Sequence, residues 1–346
     1  MKKNIAIFAL IILTGCFASC KKSAENNIQT GNGIYIAGVC DDTAVYWKDN
    51  QKINLTDGRN KASARSIYVT NNHIYVAGFE TINGFPVATL WDNGKAIHLT
   101  STDHTSNANS VFVSGTDIYV AGSESLNNSP VGNVATYWKN GVLFHLVLDQ
   151  GTYNSVANSI YVSGTDVHIA GAQYNSHWQV ATYWKNNTIH DLDSNIQYAA
   201  AYSVYVENGD IYIAGVESDQ QGYGYATYWK NGNITKLMQP VYLSGASSIY
   251  VSGSDAYVSG FFHDTAGVIA TYWKNGVRND IGNIPPNSYG LMANLTSIWV
   301  SNNDIYVAGQ EYVNGVFLAR LWKNNAELNL PQNTLHFSDA YSIFIK

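Results

Sequence analysis

Charged residues are scarce in this chain. Asp, Glu, Lys and Arg make up 13% of its 346 residues, whereas about 25% is usual for soluble domains. Tyrosine, asparagine, serine and threonine supply the polarity instead, and the formal net charge is −6. No basic run and no alternation of basic with aromatic residues occurs, although these features mark nucleic-acid-binding surfaces. We therefore expect no nucleic acid among its partners.

The chain also lacks the patterns that accompany metal, cofactor and catalytic sites. Only one of its three cysteines, Cys40, lies in the region that we expect to fold, so no disulfide framework is indicated. Its nine histidines show no metal-ligand spacing, and no phosphate-cradling glycine loop is present. No Ser-His-Asp grouping emerges either. The sequence predicts no metal, no cofactor and no catalytic residue.

The first residues have the pattern of an export signal. Lys2 and Lys3 precede an apolar run from Ile5 to Leu13 that is too short to span a bilayer. The segments ending at Cys16 and at Cys20 each resemble a bacterial lipobox, in which an acylated cysteine becomes the N-terminus. Both cysteines remain open, and a plain cleaved signal is the alternative. We predict a signal over 1–20, a polar tether over 21–32, and attachment to a membrane of the cell envelope through the lipid.

A unit of 40 to 49 residues then repeats seven times. Its start is a Ser-Ile-Tyr-Val-like run (strand A), followed by Ile-Tyr-Val-Ala-Gly (strand B). Next come Ala-Thr-Tyr-Trp (strand C) and a short run ending in Leu or Ile (strand D). Asn-Gly pairs such as Asn231-Gly232 join strands C and D, and this pair readily forms a two-residue hairpin. Four short antiparallel strands per repeat indicate the blade of a β-propeller.

The order of strands at the two ends predicts how the ring closes. The repeats begin with a B strand at Ile34 and end with an A strand at Ser342. Pairing of these two strands completes one blade. We therefore predict an all-β fold over 33–346: a seven-bladed β-propeller of four-stranded antiparallel blades, closed by the C-terminal strand, and monomeric.

The blade resembles two known repeat types. Strand B with its small-Gly ending, followed by Tyr and Trp, resembles a kelch blade, although kelch blades carry Gly-Gly where this chain has Ala-Gly or Ser-Gly. The Trp-Lys-Asn-Gly segment followed by Leu resembles HAF-type extracellular repeats. Both resemblances cover residues 34–346 and imply a fold, but they bring no shared active site.

Residues that recur in every blade are expected to be structural, and the seven repeated tryptophans are assigned to core packing. One recurrent position is more open. Two residues after the glycine of strand B lie Glu80, Glu124, Gln173, Glu217 and Glu311, with Cys40 and Phe262 as exceptions. These side chains either form a ligand-binding ring of carboxylates or accept hydrogen bonds from adjoining loops.

Function is expected on the face that carries the long and variable B–C and D–A connections. The first B–C connection, Val39 to Thr43, is minimal and predicts a notch beside blade 1. Further ligand-contact candidates are aromatic or histidine side chains in these loops: Tyr153, Tyr174, His177, Trp178, Tyr198, Tyr223, Phe262, His263 and Tyr289. Trp178 lies outside the repeat pattern and is the foremost of them.

The main functional hypothesis is a non-catalytic, membrane-anchored binding module for a glycan, a peptide or an envelope protein. The alternative enzyme is a polysaccharide hydrolase or lyase that uses rim carboxylates such as Glu80, Glu124 and Glu217. Glycosidic cleavage, however, needs two carboxyl groups at a set separation, and no pair stands out. A purely structural envelope protein is the third hypothesis.

Overall fold

A computed structural model describes residues 30–126, 132–192, 198–218, 223–237, 243–264, 267–281 and 293–346. The sheet pairing groups 28 strands into seven four-stranded antiparallel sheets. The chain is therefore all-β and forms a seven-bladed β-propeller, as the repeat predicts. No helix in the described part of the chain is long and apolar enough to cross a membrane.

Strands A to D follow one another from the axis of the ring to its outer edge. Blade 1 contains β28 (Ser338–Ile345), β1 (Ile34–Cys40), β2 (Thr43–Lys48) and β3 (Gln51–Asn54). Blade 2 contains β4 (Ala62–Val69), β5 (Ile74–Ile82), β6 (Phe85–Asp92) and β7 (Lys95–His98). Blade 3 contains β8 (Ser106–Ser114), β9 (Asp117–Ser125), β10 (Asn133–Lys139) and β11 (Val142–His145). Blade 4 contains β12 (Asn154–Ser163), β13 (Asp166–Tyr174), β14 (Gln179–Lys185) and β15 (Thr188–Asp191).

The remaining three blades follow the same order. Blade 5 contains β16 (Ala199–Glu207), β17 (Asp210–Ser218), β18 (Gly224–Lys230) and β19 (Asn233–Lys236). Blade 6 contains β20 (Ser244–Ser252), β21 (Asp255–Asp264), β22 (Gly267–Lys274) and β23 (Val277–Asp280). Blade 7 contains β24 (Ala293–Ser301), β25 (Asp304–Val313), β26 (Val316–Lys323) and β27 (Ala326–Leu328).

Ring closure occurs where the sequence predicts it. Strand β28 pairs with β1 in antiparallel register, with Ile343 opposite Ile36 and Ile345 opposite Ile34. The last strand of the chain is thus the innermost strand of blade 1.

A β-bulge interrupts strand A in every blade. In blade 2 the register shifts between Ala64 and Ser66, so Arg65 is the extra residue. Strand A therefore begins at Ala62, earlier than the Ser66 at which the repeated sequence places it. The equivalent extra residues in the other blades are Asn109, Asn158, Tyr202, Ser247, Thr296 and Tyr341.

The serine after each bulge links the blades in a closed circuit. The Ser66 hydroxyl accepts a hydrogen bond from the Val111 N–H of the next blade at 3.1 Å, and Ser342 accepts one from Ile67 at 3.4 Å. The other five serines, Ser110, Ser159, Ser203, Ser248 and Ser297, make the same bond at 3.1 to 3.4 Å. This circuit holds seven innermost strands at one height around the axis.

Two further rings of side chains stabilise the propeller, one between the blades and one around the axis. Each repeated tryptophan is at most 5% exposed, and Trp91 packs against Ala37 and Tyr46 of the preceding blade. The tryptophans are therefore core residues, as expected. On the axis, aromatic side chains of strand A form a ring with centroids 4.6 to 5.2 Å apart, made by Tyr68, Phe112, Tyr161, Tyr205, Tyr250, Trp299 and Phe344.

The short A–B and C–D turns lie together on one side of the ring, which we call the turn face. In blade 5, Lys230 contacts the Asp210 carboxylate at 2.8 Å and Asn231 donates to the same carboxylate at 2.8 Å. The Asn231 side chain also accepts the Ile211 N–H. Four other blades repeat this clip, so the recurrent Lys-Asn pair ties one turn to the other. Its role is structural.

Candidate functional site on the loop face

The B–C and D–A connections meet on the opposite side of the ring, which we call the loop face. Several of its exposed aromatic side chains lie in or beside the connections around blades 4 and 5. We define the aromatic patch as Tyr153, Tyr174, Trp178, Tyr198 and Tyr202. Tyr153, Trp178 and Tyr198 are 50%, 39% and 42% exposed, and Tyr202 is 37% exposed.

A local turn places Trp178 immediately before β14. The Asn175 side-chain oxygen accepts the N–H groups of His177 at 3.0 Å and Trp178 at 2.8 Å, which is an Asx turn. The Asn175 N–H in turn donates to the Trp178 carbonyl at 3.0 Å. These bonds close a tight loop, so the position of Trp178 is set by the backbone.

Main-chain contacts bring the neighbouring loops to Trp178. Tyr198, in the connection between blades 4 and 5, forms a parallel bridge with Gln179, the residue after Trp178. The Tyr198 carbonyl accepts the Ser218 N–H at 2.7 Å, and the Tyr174 carbonyl accepts the Tyr153 N–H at 2.9 Å. The patch is thus built from three connections held by backbone hydrogen bonds.

The hydroxyl groups of the patch interact with one another. Tyr202, the extra residue of the blade 5 bulge, shares a hydrogen bond with Tyr198, and its pKa is raised first by burial and then by this bond. Burial likewise raises the pKa of Tyr174, with smaller contributions from Tyr198 and Tyr153. The patch therefore combines exposed aromatic ring surface with neutral tyrosine hydroxyl groups.

Three of the other loop candidates lie in different surroundings. Tyr223 precedes β18 and is 48% exposed. Phe262 is buried, with the Arg278 guanidinium 4.1 Å above its ring centre. The backbone N–H of His263 donates to the Leu243 carbonyl at 2.9 Å. Tyr289 lies outside the described residues.

The recurrent acidic position points along the blade toward the outer strands or the D–A loop. Glu124 is buried and contacts His145 of β11 at 2.6 Å and His104 of the D–A connection before blade 3 at 3.2 Å. Gln173 is buried and accepts the Asp149 N–H at 2.8 Å.

The remaining three acidic residues each lie near a basic side chain of their own blade. Glu80 is 3.7 Å from His98, Glu217 is 3.7 Å from Lys236, and Glu311 is 2.8 Å from Arg320. The part of the chain that the structure describes contains no group of three His, Cys, Asp or Glu side chains suited to a metal ion.

A cavity of about 480 Å³ opens beside blade 1, where the minimal B–C connection predicts a notch. We call it the notch cavity. Lys61, Ser63, Arg65 and Tyr341 supply its polar wall, together with Asp41. Val39, Phe79 and Phe337 supply its apolar wall.

Tyr341, in the polar wall of the notch cavity, is hydrogen-bonded to a buried acid, Asp339. The Tyr341 hydroxyl is hydrogen-bonded to Asp339 and Ser63. Asp339 is 5% exposed, and burial raises its pKa to about 7. One oxygen of this carboxyl has no hydrogen-bond partner among the described residues. A neutral carboxyl is therefore favoured below about pH 7.

The sequence did not single out Arg65, Tyr341 or Asp339. Arg65 and Tyr341 are extra residues of strand A bulges, where the seven repeats share no residue type. The available signal was variation at a position that precedes an invariant Ser and follows Ala in six blades and Leu295 in the seventh. The constant residues define the repeat, so a variable position among them carries no pattern of its own.

No family model matches this chain, and no curated protein matches it. Among solved structures, the crystal structure of TolB from Acinetobacter baumannii is similar, with 13% sequence identity and a TM-score of 0.45. The match covers 71% of this chain and 62% of that one. The kelch-type, HAF-type and lipoprotein assignments stay predictions.

Proposed function

We propose that this protein is a lipid-anchored, non-catalytic propeller of the cell envelope that binds a glycan on its loop face. The observation that carries the proposal is the aromatic patch: five tyrosine and tryptophan side chains on adjacent connections and the strands beside them, most of them well exposed. Isolated exposed aromatic residues are ordinary on protein surfaces, but a contiguous group indicates an interaction site.

The chemistry of the patch suits a sugar chain. Tyrosine and tryptophan offer large rigid contact surfaces at a low cost in conformational entropy. Their ring faces pack against the C–H faces of a sugar, while tyrosine hydroxyls hydrogen-bond to its hydroxyl groups. The backbone bonds at Asn175 and Tyr198 hold the patch in place before a ligand arrives, which lowers the cost of binding.

The point at which the chain enters the ring supports an outward-facing binding surface. Thr30 lies on the turn face, where its hydroxyl bonds to the Asn71 carbonyl and its carbonyl accepts the Lys346 ammonium group at 2.8 Å. A lipid on Cys16 or Cys20 therefore holds the turn face toward the membrane. The loop face then points away from it, toward envelope polysaccharide.

The hydrolase alternative has less support. Each rim glutamate proposed for it lies near a histidine or lysine of its own blade. Glycosidic cleavage instead requires one carboxyl group that stays protonated until it reaches the glycosidic oxygen. Binding without cleavage is the function that this arrangement favours.

The test is a glycan-binding assay on the full-length protein purified in detergent. Neutral and acidic oligosaccharides are screened first, and affinities for the bound ones are measured by calorimetry. We expect Trp178→Ala and Tyr198→Ala to lower affinity about tenfold or more, as loss of a central aromatic contact does. Phe144→Ala is the matched control, because Phe144 is 40% exposed but lies on outer strand β11. Absence of binding across the panel, or equal affinity of the Trp178 and Phe144 variants, would contradict the proposal.

A further inference from the structure

Two positively charged side chains line the notch cavity, and neither has an acidic partner among the described residues. Arg65 and Lys61 both line it, and no described carboxylate lies within 4.0 Å of either side chain. The acid on the same wall, Asp41, is instead paired with His336 at 3.0 Å. The cavity is therefore a pocket with a surplus of positive charge in a protein that is acidic overall.

The position of Arg65 suits it to bind a planar anion. Its guanidinium lies 5.1 Å above the Phe79 ring centre and donates one hydrogen bond, to the Asn109 side-chain oxygen at 2.5 Å. No other hydrogen bond joins Arg65 to a described residue. Burial lowers its pKa, because the surroundings stabilise the charge less well than water does. A partly buried guanidinium with free N–H groups is an electrostatic cost unless an anion completes it.

The rest of the cavity narrows the class of anion. Val39 and Phe337 line the same cavity with apolar surface, and hydrogen bonds join its Tyr341 to Ser63 and to the buried Asp339. About 480 Å³ lies within the range of small-molecule pockets. A fork of guanidinium donors matches the two oxygens of a carboxylate. The apolar wall and the cavity volume fit a ring that carries such a carboxylate.

We propose that the notch cavity binds the carboxylate of an acidic sugar, such as a uronic acid residue of an envelope polysaccharide. This inference rests on the proposed glycan-binding function and names the charge of its ligand. Arg65 receives the carboxylate in a bidentate contact and Lys61 adds a second positive charge. The sugar ring lies against Val39 and Phe337. The cavity thereby selects acidic over neutral chains, whereas the aromatic patch contacts both.

The test compares D-glucuronate with D-glucose by calorimetry on the full-length protein, since the two differ only at the carboxyl group. We expect glucuronate to bind about tenfold to a hundredfold more tightly. We expect Arg65→Gln to abolish the preference for glucuronate. Arg65→Lys keeps the positive charge and retains part of the preference, and Lys61→Gln reduces the preference. Lys61 is exposed, so its substitution leaves the fold intact even if an Arg65 variant does not fold.

Two controls separate this proposal from its alternatives. N-acetylalanine carries a carboxylate without a sugar ring, and equal affinity for it would overturn the uronate assignment in favour of a peptide C-terminus. Trp178→Ala lowers binding of neutral glycans while leaving the ratio of glucuronate to glucose affinity unchanged, so the two sites can fail separately. Equal binding of glucuronate and glucose, or a preference untouched by both Lys61→Gln and Arg65→Lys, would overturn the cavity's role.

Discussion

The glycine of strand B shows how one missing atom shapes every blade. A Cβ at Gly171 would lie 2.0 Å from the Val156 carbonyl oxygen of strand A, and the six equivalent glycines would clash at 1.8 to 2.1 Å. The bulge in strand A turns its carbonyl toward strand B, and only glycine leaves room for it.

This contact predicts the effect of a single methyl group. Gly171→Ala is expected to lower the free energy of unfolding by about 3 kcal/mol, because neither backbone can yield without breaking the pairing. Urea unfolding followed by circular dichroism measures it. Gly132→Ala is the matched control, since its new Cβ would sit 3.5 Å from the Tyr153 carbonyl oxygen, an ordinary contact. A loss below about 1 kcal/mol in the Gly171 variant would contradict the steric account.

For single residues, sequence spacing predicted where the recurrent acidic residue lies on strand B but not the direction in which its side chain points. Glu124 follows Gly122 by two residues and therefore shares its face of the strand. Whether that face looks to the axis or to the outer strands depends on how the blades pack, which spacing alone does not contain. The contacts with His104 and His145 became visible only with the blade assembled.

Among the structural elements, the C–D hairpins were the most predictable. Asn231 and Gly232 adopt φ angles of 50° and 80°, the positive values of the predicted two-residue turn. The clip that joins this turn to the A–B turn was not predicted, although blade 2 carries a signal for it. Blade 2 has His73 in place of the aspartate and Asp92 in place of the lysine, and these two pair at 2.7 Å. This exchanged charge pair was the signal that linked the two turns.

The last hairpin offers a paired prediction, because its two turn residues are both asparagine. Asn324→Ala is expected to cost about 2 kcal/mol, since it loses bonds to Ile305 and Asp304 and keeps a φ of 49°. Asn325→Gly is expected to gain roughly 0.5 kcal/mol, because Asn325 is exposed at a φ of 67° that glycine adopts freely. Thermal unfolding of both variants measures the difference. Equal stability of the two would refute the distinction between clip and turn.

For the whole molecule, closure and blade number followed from the sequence because every blade repeats the same strand order. The serine circuit around the axis did not, since it joins N–H and hydroxyl groups of different repeats through bulges that the repeat alignment conceals. The notch cavity has the same origin. It forms where the B–C hairpin with the shortest strands, β1 and β2, meets variable bulge residues of two blades.

Orientation on the membrane is the property of the whole ring that the entry point of the chain predicts. Ser254 lies in an exposed A–B turn on the turn face, and Ser176 lies in an exposed B–C loop on the loop face. Each is replaced by cysteine in a Cys40→Ser background and labelled with a donor dye, and the protein is bound to vesicles containing an acceptor lipid. Energy transfer is expected to be stronger from position 254, because Thr30 and Lys346 tie the tether to that side. Equal or stronger transfer from position 176 would mean that the loop face meets the membrane, and the aromatic patch would then contact lipid instead of polysaccharide.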